Sequence, residues 1–235
     1  MPSVQEVAER TTAGMTGERE KAIALHDYVR DTVAFGFNKY FEAGPSDYVL
    51  SCRIGHCNPK SQLLVALLRA TGLEAHQHFV AIPSTILKGV FPASRAWSVP
   101  AELSHSYVDV RVEGRWCAID SFVIDPPLLN AAQARLAAEG RALGYGVRID
   151  STNAWDGQRD AFSQFSPAMM LEDHGRIEDL EAYFRSRHYR NHLLGIRFNT
   201  LIRLMGEVYV GPVNAHIDRL RSGRWQARSK QPHAA

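Results

Sequence analysis

The sequence of 235 residues predicts an α+β fold, and three stretches indicate it. Residues 17–33 carry apolar side chains at helical spacing, and residues 55–72 run from a cysteine into a nearly uninterrupted apolar helix. Residues 104–120 alternate apolar and polar side chains around a Glu113-Gly114 turn, which is typical of a β-hairpin. The chain therefore combines helices with antiparallel strands and is long enough for one full hydrophobic core.

The first predicted helix is amphipathic. Thr16 can cap it, and Glu18 and Glu20 lie in its positively charged first turn. Its apolar side chains recur every three or four residues, at Ala22, Leu25, Val29 and Val33. We expect this helix to pack one face against the core.

The second predicted helix follows a Gly-His-Cys turn in the stretch GHCNPKSQLLVALLRATG, residues 55–72. Pro59 lies in its first turn and Gly72 just beyond its end, as is common at helix termini. Its apolar side chains leave almost no polar face: Leu63, Leu64, Val65, Leu67 and Leu68. The helix is therefore predicted to be buried nearly all round, with Cys57 at its amino end.

Composition excludes several classes of function. A net charge of +2, with basic and acidic residues interspersed, predicts neither nucleic-acid nor membrane-surface binding. The amino terminus lacks the apolar stretch of a secretory signal, and no stretch approaches the roughly 20 apolar residues of a membrane span. Cys52, Cys57 and Cys117 are an odd number of cysteines, which argues against a disulfide framework. We expect a soluble cytoplasmic protein with free thiols.

Cys57 has two interpretations. A free cysteine is most often buried and unreactive, which fits Cys52 and Cys117. The first turn of a helix, however, carries unpaired N–H groups and partial positive charge that favour a thiolate. A thiolate becomes a nucleophile for catalysis when a basic partner lies beside it. Cys57 is therefore a candidate nucleophile if the chain supplies that partner.

The predicted hairpin supplies a histidine and a carboxylate. If Val112 pairs with Arg115 across the turn, Tyr107 lies opposite Asp120. His105, two residues before Tyr107, then lies on the same face and diagonal to Asp120, within side-chain reach. For this pair alone, a His and an Asp in unrelated roles remain the alternative. Together with the cysteine, the pair favours a base and its orienting acid.

In this order, the segments GHC, LLVALLRATGLEA, HSYVDVRVEGRW and AID resemble the transglutaminase-like cysteine enzymes of the papain-like superfamily. The resemblance covers roughly residues 17–126. It implies an α+β fold in which the cysteine-bearing central helix packs on an antiparallel sheet. It also implies that Cys57 is the nucleophile, His105 the general base and acid, and Asp120 the residue that orients the imidazole. The Asn-Pro step after Cys57 departs from the small or polar residues usual there.

Residues 74–83 are predicted to form the strand that leaves the central helix, with His76 and His78 on one face. Two histidines without a third ligand are more often part of a polar sheet face than of a metal site. A second possible metal site consists of Cys52, His56 and Cys57. The spacing of these residues does not match a known structural zinc site. We expect neither a metal nor a cofactor.

The connection formed by residues 84–103 is longer than compact domains usually tolerate unless it covers a site. Phe91 and Trp97 on it are candidates for a wall of a substrate cleft, or for anchors that hold the loop down. An oxyanion hole would use the backbone N–H of the nucleophile and a second donor, for which Asn38 and Tyr40 are candidates by position. Trp97, Asn38 and Tyr40 are thus the predicted substrate-binding residues.

Residues 127–223 are predicted to form a helical extension packed on a catalytic core of residues 1–126, and residues 224–235 a disordered tail. Within the extension, residues 128–140 are predicted as one helix and residues 176–210 as two. The last helix has an apolar stripe that is typical of a core or subunit contact, namely Leu194, Phe198, Leu201, Met205 and Val208.

Three functions of different class remain open. The first is a cysteine enzyme that forms a thioester from an amide or ester of a peptide, protein or small molecule, followed by hydrolysis or transfer to an amine. A specialised biosynthetic acyltransferase or condensing enzyme is a variant of it. The second is a non-catalytic peptide-binding module or scaffold on the same fold, and the third is a metal protein. The presence of all three candidate residues favours the enzyme.

Overall fold

The computed structural model describes residues 2–224. In chain order its helices are α1 (Val4–Thr11), α2 (Glu18–Thr32), α3 (Ser46–Cys52), α4 (Cys57–Ala70), α5 (Pro126–Glu139), α6 (Leu180–Arg185), α7 (Phe198–Met205) and α8 (Glu207–Arg221). Its strands are β1 (Ala34–Phe35), β2 (Ile54–Gly55), β3 (Ala75–Pro83), β4 (Glu102–Val112), β5 (Arg115–Ile119), β6 (Leu143–Gly144), β7 (Val147–Arg148), β8 (Glu172–Arg176), β9 (His192–Leu193) and β10 (Ile196–Arg197).

A four-stranded sheet carries the strands of the predicted hairpin. Its order is β5-β4-β3-β8, and all neighbours are antiparallel. Val112 pairs with Arg115 and Val108 with Ile119, so the hairpin has the register that the sequence predicts. β8 pairs with the edge of β3 that faces away from β4. A strand from the chain beyond residue 126 therefore completes the sheet.

α4 is the central helix, as the sequence predicts. Its side chains Leu63, Leu64 and Leu67 are 0% exposed. The helix contacts α1, α2 and α3 as well as β3 and β4. Gly72 follows its end with a φ of 82°, a left-handed conformation that glycine adopts without strain. The predicted α+β fold, with the cysteine-bearing helix packed on an antiparallel sheet, is confirmed.

α2 begins differently from the prediction. Its N-cap is Gly17, and no side chain caps it, so the prediction of Thr16 as the cap is wrong. The carboxylate of Glu18 instead accepts a hydrogen bond from the N–H of Glu113 at 2.6 Å. This bond ties the start of α2 to the β4–β5 turn. The predicted apolar face is buried, with Ala22, Leu25 and Val29 all 0% exposed.

The chain beyond residue 126 combines helices with short strands. α5 follows the N-cap Asp125, whose carboxylate accepts a hydrogen bond from the N–H of Leu128 at 3.2 Å, and ends at Gly140. The region predicted as two helices, residues 176–210, contains the end of β8, the short α6, the β9–β10 hairpin, α7 and the start of α8.

The predicted apolar stripe is not one helix face. Gly195 and Gly206 have φ angles of 78° and 51°, which interrupt a continuous helix. Leu194 and Val208, at the two ends of the stripe, are 89% and 71% exposed. Helical spacing in the sequence is therefore misleading here, because the intervening glycines turn the chain.

The division into a core of residues 1–126 and an extension of residues 127–223 stays a prediction. β8 belongs to the second range but pairs with β3 of the first, so the two ranges share one sheet. Apart from Arg224, the predicted disordered tail lies outside the described residues. Within residues 2–224, no helix has the length and apolar character needed to cross a membrane.

Candidate active site

Cys57 is the first residue of α4, and its side chain is half-buried. The N-cap residue, His56, makes no capping hydrogen bond with its side chain. The N–H groups of the first turn therefore keep their partial positive charge near the sulfur. The thiol donates to Asn58 Oδ1, which lies 3.3 Å from Sγ.

His105 and Asp120 are in direct contact. His105 Nε2 lies 3.1 Å from Asp120 Oδ2, and the two side chains are 4% and 0% exposed. The hairpin register explains the contact, because one step beyond the Val108–Ile119 pair brings Asp120 opposite Tyr107 and diagonal to His105. Since Nε2 binds the carboxylate, Nδ1 is the nitrogen left for another partner.

The carboxylate of Asp120 is held by the backbone of residues 163–165. Its Oδ1 accepts hydrogen bonds from the N–H groups of Ser163 and Gln164, and its Oδ2 from the N–H of Phe165 at 2.7 Å. The ring of Phe165 stacks on the imidazole, with 6.0 Å between ring centroids. A carboxylate bound by three N–H groups is fixed in place, and it fixes the imidazole in turn.

Two opposing influences act on the pKa of His105. Burial disfavours the charged imidazolium and lowers the pKa, while the nearby Cys57 sulfur and the hydrogen bond to Asp120 favour the charged form. The attractive interactions outweigh burial, so the pKa of His105 is raised well above its ordinary value. The imidazole is therefore placed to hold a proton beside the sulfur.

A buried polar network lies next to the cysteine. The carboxylate of Glu42 accepts hydrogen bonds from Asn58 Nδ2 and Asn191 Nδ2, both at 2.6 Å, and from the hydroxyl of Tyr189. The same two amide groups donate to the carbonyl of Ser104, which precedes the histidine. The Asn-Pro step after the cysteine thus has a structural reason, since Asn58 links the cysteine helix to the strand that carries the histidine.

A cavity of about 60 Å³ lies over Cys57. Its polar lining consists of His56, Cys57, Ser104, His105, Gln164 and Asn191. Its aromatic and aliphatic lining includes Phe35, Phe37, Phe91, Phe198, Ile202 and Tyr209. Cys57 and His105 therefore face the same space, in which a substrate could reach the sulfur.

The structure does not bring Trp97 to this cavity. Trp97 is 67% exposed, and its indole N–H donates to the carbonyl of Ser94 at 3.0 Å. The loop of residues 84–103 covers the site as predicted from its length, but the aromatic side chain that it contributes is Phe91. Trp97 lies outside the lining because the loop turns it toward solvent.

Asn38 and Tyr40 also lie away from the cavity lining. Asn38 Nδ2 donates to the carbonyl of Ile54 at 3.1 Å, and its Oδ1 accepts from the N–H of Tyr40 at 2.9 Å. Tyr40 packs edge-on against Tyr48, with 4.6 Å between ring centroids. Position in the sequence suggested both residues as oxyanion donors, but their side chains stabilise the local loop instead.

Several residues of the cavity were not predicted from the sequence. Gln164 belongs to the segment of residues 163–165 that binds Asp120, and Asn191 belongs to the Glu42 network. Phe198 and Ile202 lie on α7, and Tyr209 lies on α8. No local pattern could have identified them, because each is more than 40 residues from the hairpin in sequence and reaches the cysteine only through packing.

One group of side chains within residues 2–224 could hold a cation, namely Glu172, His174 and His188, whose ligand atoms lie within 4.8 Å of one another. Arg190 Nη2 lies 2.6 Å from Glu172 Oε2, so a fixed positive charge already pairs with this carboxylate. Hydrogen bonds from His188 and His174, together with Arg190, lower the pKa of Glu172 to about 2. The two strand histidines are paired as well, His76 with Glu178 and His78 with Asp109 and Asp173.

A second histidine–carboxylate pair contacts Ser121, the residue that follows Asp120 in the chain. His26 Nδ1 is 2.8 Å from Asp27 Oδ1, and its Nε2 is 2.8 Å from Ser121 Oγ. His26 and Ser121 are both 0% exposed, and neither lines the cavity. Burial lowers the pKa of His26, despite the hydrogen bond to Asp27. We refer to Ser121, His26 and Asp27 as the buried triad after its hydroxyl and imidazole; the Asp27 side chain is 39% exposed and also pairs with Arg30.

A sequence profile described as the transglutaminase-like superfamily matches residues 5–121, the range that contains Cys57, His105 and Asp120. The chain belongs to the transglutaminase-like superfamily. The fold built around α4 and the β4–β5 hairpin is therefore the cysteine-dependent catalytic fold of this superfamily. No curated protein matches the chain significantly.

Solved structures that are similar to this transglutaminase-like chain include two proteins designated as candidate proteases. The cysteine protease candidate from Cytophaga hutchinsonii is 17% identical with a TM-score of 0.40, covering 54% of this chain and 41% of that one. The protease candidate from Parabacteroides distasonis is 18% identical with a TM-score of 0.34, covering 49% and 22%. A protein described as a TGase is 18% identical with a TM-score of 0.30, covering 48% and 28%. The chain spans less than half the length of each of these proteins.

Proposed function

We propose that the chain catalyses acyl transfer through a thioester on Cys57. The observation that carries this proposal is the shared cavity, because Cys57 and His105 both line it while Asp120 binds the imidazole at 3.1 Å. A nucleophile, a base and a carboxylate that orients the base are the groups that this chemistry needs.

The proposed reaction has two steps. His105 takes the thiol proton, the sulfur attacks the carbonyl carbon of an amide or ester, and the bond to the leaving group breaks as His105 protonates that group. The acyl group is then held as a thioester on Cys57. Water or an amine, which loses its proton to His105, attacks the thioester and releases the sulfur. The N–H of Cys57, in the first turn of α4, is the first donor for the oxyanion of both steps.

The surroundings of the three thiols support Cys57 as the nucleophile. Burial raises the pKa of the Cys52 thiol and of the Cys117 thiol, and both therefore stay protonated at neutral pH. Cys117 is also only 1% exposed. Cys57 lies at the positive end of α4, beside an imidazole that retains its proton.

Alkylation by iodoacetamide at pH 7 tests the nucleophile directly. We expect Cys57 to be labelled at least about tenfold faster than Cys52 or Cys117, because the thiolate is the reacting form. Peptide mass spectrometry reads the three rates in the same sample. His105→Ala should reduce the labelling rate of Cys57 and leave the other two unchanged. Equal labelling of all three thiols in the folded protein would contradict the proposal.

The narrow cavity favours one version of this function, a specialised acyltransferase or hydrolase that acts on a small acyl group rather than on a long polypeptide. The peptide-binding scaffold is the competing function. A scaffold would bind its ligand with the same affinity and form no acyl adduct, with or without Cys57. Intact mass after incubation with activated esters therefore separates the two, since only a thioester enzyme gains the mass of the acyl group.

A further inference from the structure

We propose that the cavity over Cys57 binds a short, uncharged, apolar acyl group and thereby selects the substrate. This inference rests on the proposed function, because it names the group that the sulfur would carry. It makes α7 and α8, which supply part of the apolar lining, contributors to acyl specificity.

The walls of the cavity carry no charge other than that of the His105 imidazole, which is already paired with Asp120. Aromatic and aliphatic side chains dominate its lining, and among the described residues that form it none is Asp, Glu, Lys or Arg. Two carboxylates contact lining residues. Glu42 is 2% exposed and already accepts hydrogen bonds from Asn58, Asn191 and Tyr189. Asp120 is 0% exposed and is already bound by His105. An ionised acyl group would enter without a partner, which is costly in an apolar site.

Two polar atoms at the lining are buried without a hydrogen-bond partner. They are His56 Nδ1 and Gln164 Oε1. The opposite end of each side chain is engaged, because His56 Nε2 contacts Glu42 at 3.4 Å and Gln164 Nε2 donates to the carbonyl of Gly146 at 2.8 Å. Such atoms can accept one N–H or O–H of a neutral ligand, but they cannot stabilise a full charge.

The size of the cavity limits the length of the acyl group. The space open to the centres of water-sized spheres is about 60 Å³, and since each sphere needs about 12 Å³ of it, the cavity holds on the order of five water-sized groups. A methylene group occupies roughly the volume of a water molecule. An acyl chain of about four to six carbon atoms therefore fills the cavity, and a longer chain would extend into solvent or need the walls to move.

Part of the cavity wall comes from α7, α8 and the loop of residues 84–103, and hydrogen bonds connect this loop to α8. Phe198 and Ile202 of α7 and Tyr209 of α8 face the cavity. The hydroxyl of Tyr209 lies 2.6 Å from Ser98 Oγ, and Arg95 Nη2 donates to the carbonyl of Val208 at 2.9 Å. These bonds hold the loop of residues 84–103 against α8, so the cavity is enclosed by contacts outside the catalytic hairpin.

A series of 4-nitrophenyl esters with one leaving group tests the selectivity in the full chain. We expect kcat/KM to rise about fourfold per added methylene from acetyl through butanoyl to hexanoyl, which is about 250-fold in total. Adipoyl and 6-aminohexanoyl esters, which have the length of hexanoyl but end in a charge, should react at least about 100-fold more slowly than hexanoyl. Equal kcat/KM for hexanoyl and adipoyl would overturn the inference.

Variants of α7 locate the specificity. Ile202→Trp should fill the cavity and lower kcat/KM for hexanoyl at least about tenfold while changing acetyl less than about threefold. Leu204→Trp is the matched control, since Leu204 is on the same helix and 81% exposed. If Ile202→Trp does not fold, Phe198→Ala should instead enlarge the cavity and move the preferred chain from hexanoyl to octanoyl. An unchanged chain-length profile in both folded variants would refute this location.

Ligand binding to Cys57→Ala separates this inference from the proposed function. Calorimetry should show that hexanamide binds at least about tenfold more tightly than adipamic acid, its charged counterpart. If turnover survives in Cys57→Ala but this order of affinity holds, the thioester proposal fails and the cavity inference stands. If Cys57 forms acyl adducts but neither the esters nor the amides show the preference, the cavity inference fails and the thioester proposal stands.

Discussion

Two constellations of a sulfur or hydroxyl group, a histidine and a carboxylate lie side by side in this protein, and they differ above all in access. Cys57, His105 and Asp120 meet at a cavity, whereas the buried triad has its hydroxyl and its imidazole at 0% exposure. Asp120 and Ser121 are consecutive residues, yet each serves a different constellation. β5 ends at Ile119 and the chain turns directly after it, so Asp120 faces His105 and Ser121 faces His26.

The surroundings of His26 and of His105 shift the pKa values of the two imidazoles in opposite directions. Burial lowers the pKa of His26, because its hydrogen bonds do not compensate for the loss of solvent. Burial also acts on His105, but the Cys57 sulfur and Asp120 outweigh it and raise the pKa. A histidine with a hydroxyl and a carboxylate in hydrogen-bond range is therefore not by itself a catalytic site. An accessible nucleophile beside a histidine that can hold a proton is what distinguishes the first constellation.

Removing each nucleophile gives the largest expected difference. Cys57→Ala should lower turnover of an activated ester by a factor on the order of 10⁴ or more and abolish the acyl adduct, since only the sulfur can carry it. Ser121→Ala should reduce turnover less than about tenfold, because its hydroxyl has no route to a substrate. Ester kinetics and intact mass measure both. If Cys57→Ala still formed an acyl adduct, or if Ser121→Ala formed none, the nucleophile would belong to the buried triad instead.

Changing each carboxylate to an amide sharpens the same contrast. Asp120→Asn should lower kcat by up to about 10⁴-fold, the size of effect seen when the orienting acid of a serine protease is changed in this way. Asp27→Asn, the matched change in the buried triad, should alter kcat less than about tenfold. Far-ultraviolet circular dichroism confirms that both variants are folded. Similar losses of kcat in the two variants would contradict the assignment of catalysis to the constellation at the cavity.

The buried triad should matter for stability. His26→Ala removes a side chain that is 0% exposed and leaves the Ser121 hydroxyl without its partner, so the free energy of unfolding should fall by about 2–4 kcal/mol. The turnover of the folded fraction should stay within about tenfold of the unmodified protein. Urea denaturation followed by tryptophan fluorescence gives the stability. A variant as stable as the unmodified protein would show that the network contributes nothing to the fold.

The smallest expected effect is the pH response of the two imidazoles. By NMR, His26 should titrate below the ordinary histidine pKa of about 6.5 and His105 above it, and Cys57→Ala should lower the value for His105. The stability that His105 contributes is then complete below about pH 6.5 and is lost as pH rises through its raised pKa. For His26 the sign is opposite, because stability is lost as pH falls below about 6.5 toward its lowered pKa. Titration of both rings near pH 6.5 would remove the electrostatic distinction.

Local patterns in the sequence predict the parts of the fold that depend on neighbouring residues. The apolar run from Leu63 to Leu68 predicts a buried helix because helical spacing puts those side chains on every face. The Glu113-Gly114 turn predicts the hairpin register, and with it the contact of His105 with Asp120, because a tight turn sets which residues pair. The same spacing rules fail from Leu194 to Val208, where glycines with positive φ turn the chain.

The sequence by itself determined the α+β class, the place of Cys57 at the start of the central helix and the pairing of His105 with Asp120, since each follows from periodicity or register over fewer than about 20 residues. Only the tertiary structure decided that Ser121 is closed off and Cys57 is not, and that Phe198, Ile202 and Tyr209 face the sulfur. Access to a side chain depends on what packs over it from distant parts of the chain. Packing of that kind leaves no periodic signal near the residue it covers or exposes.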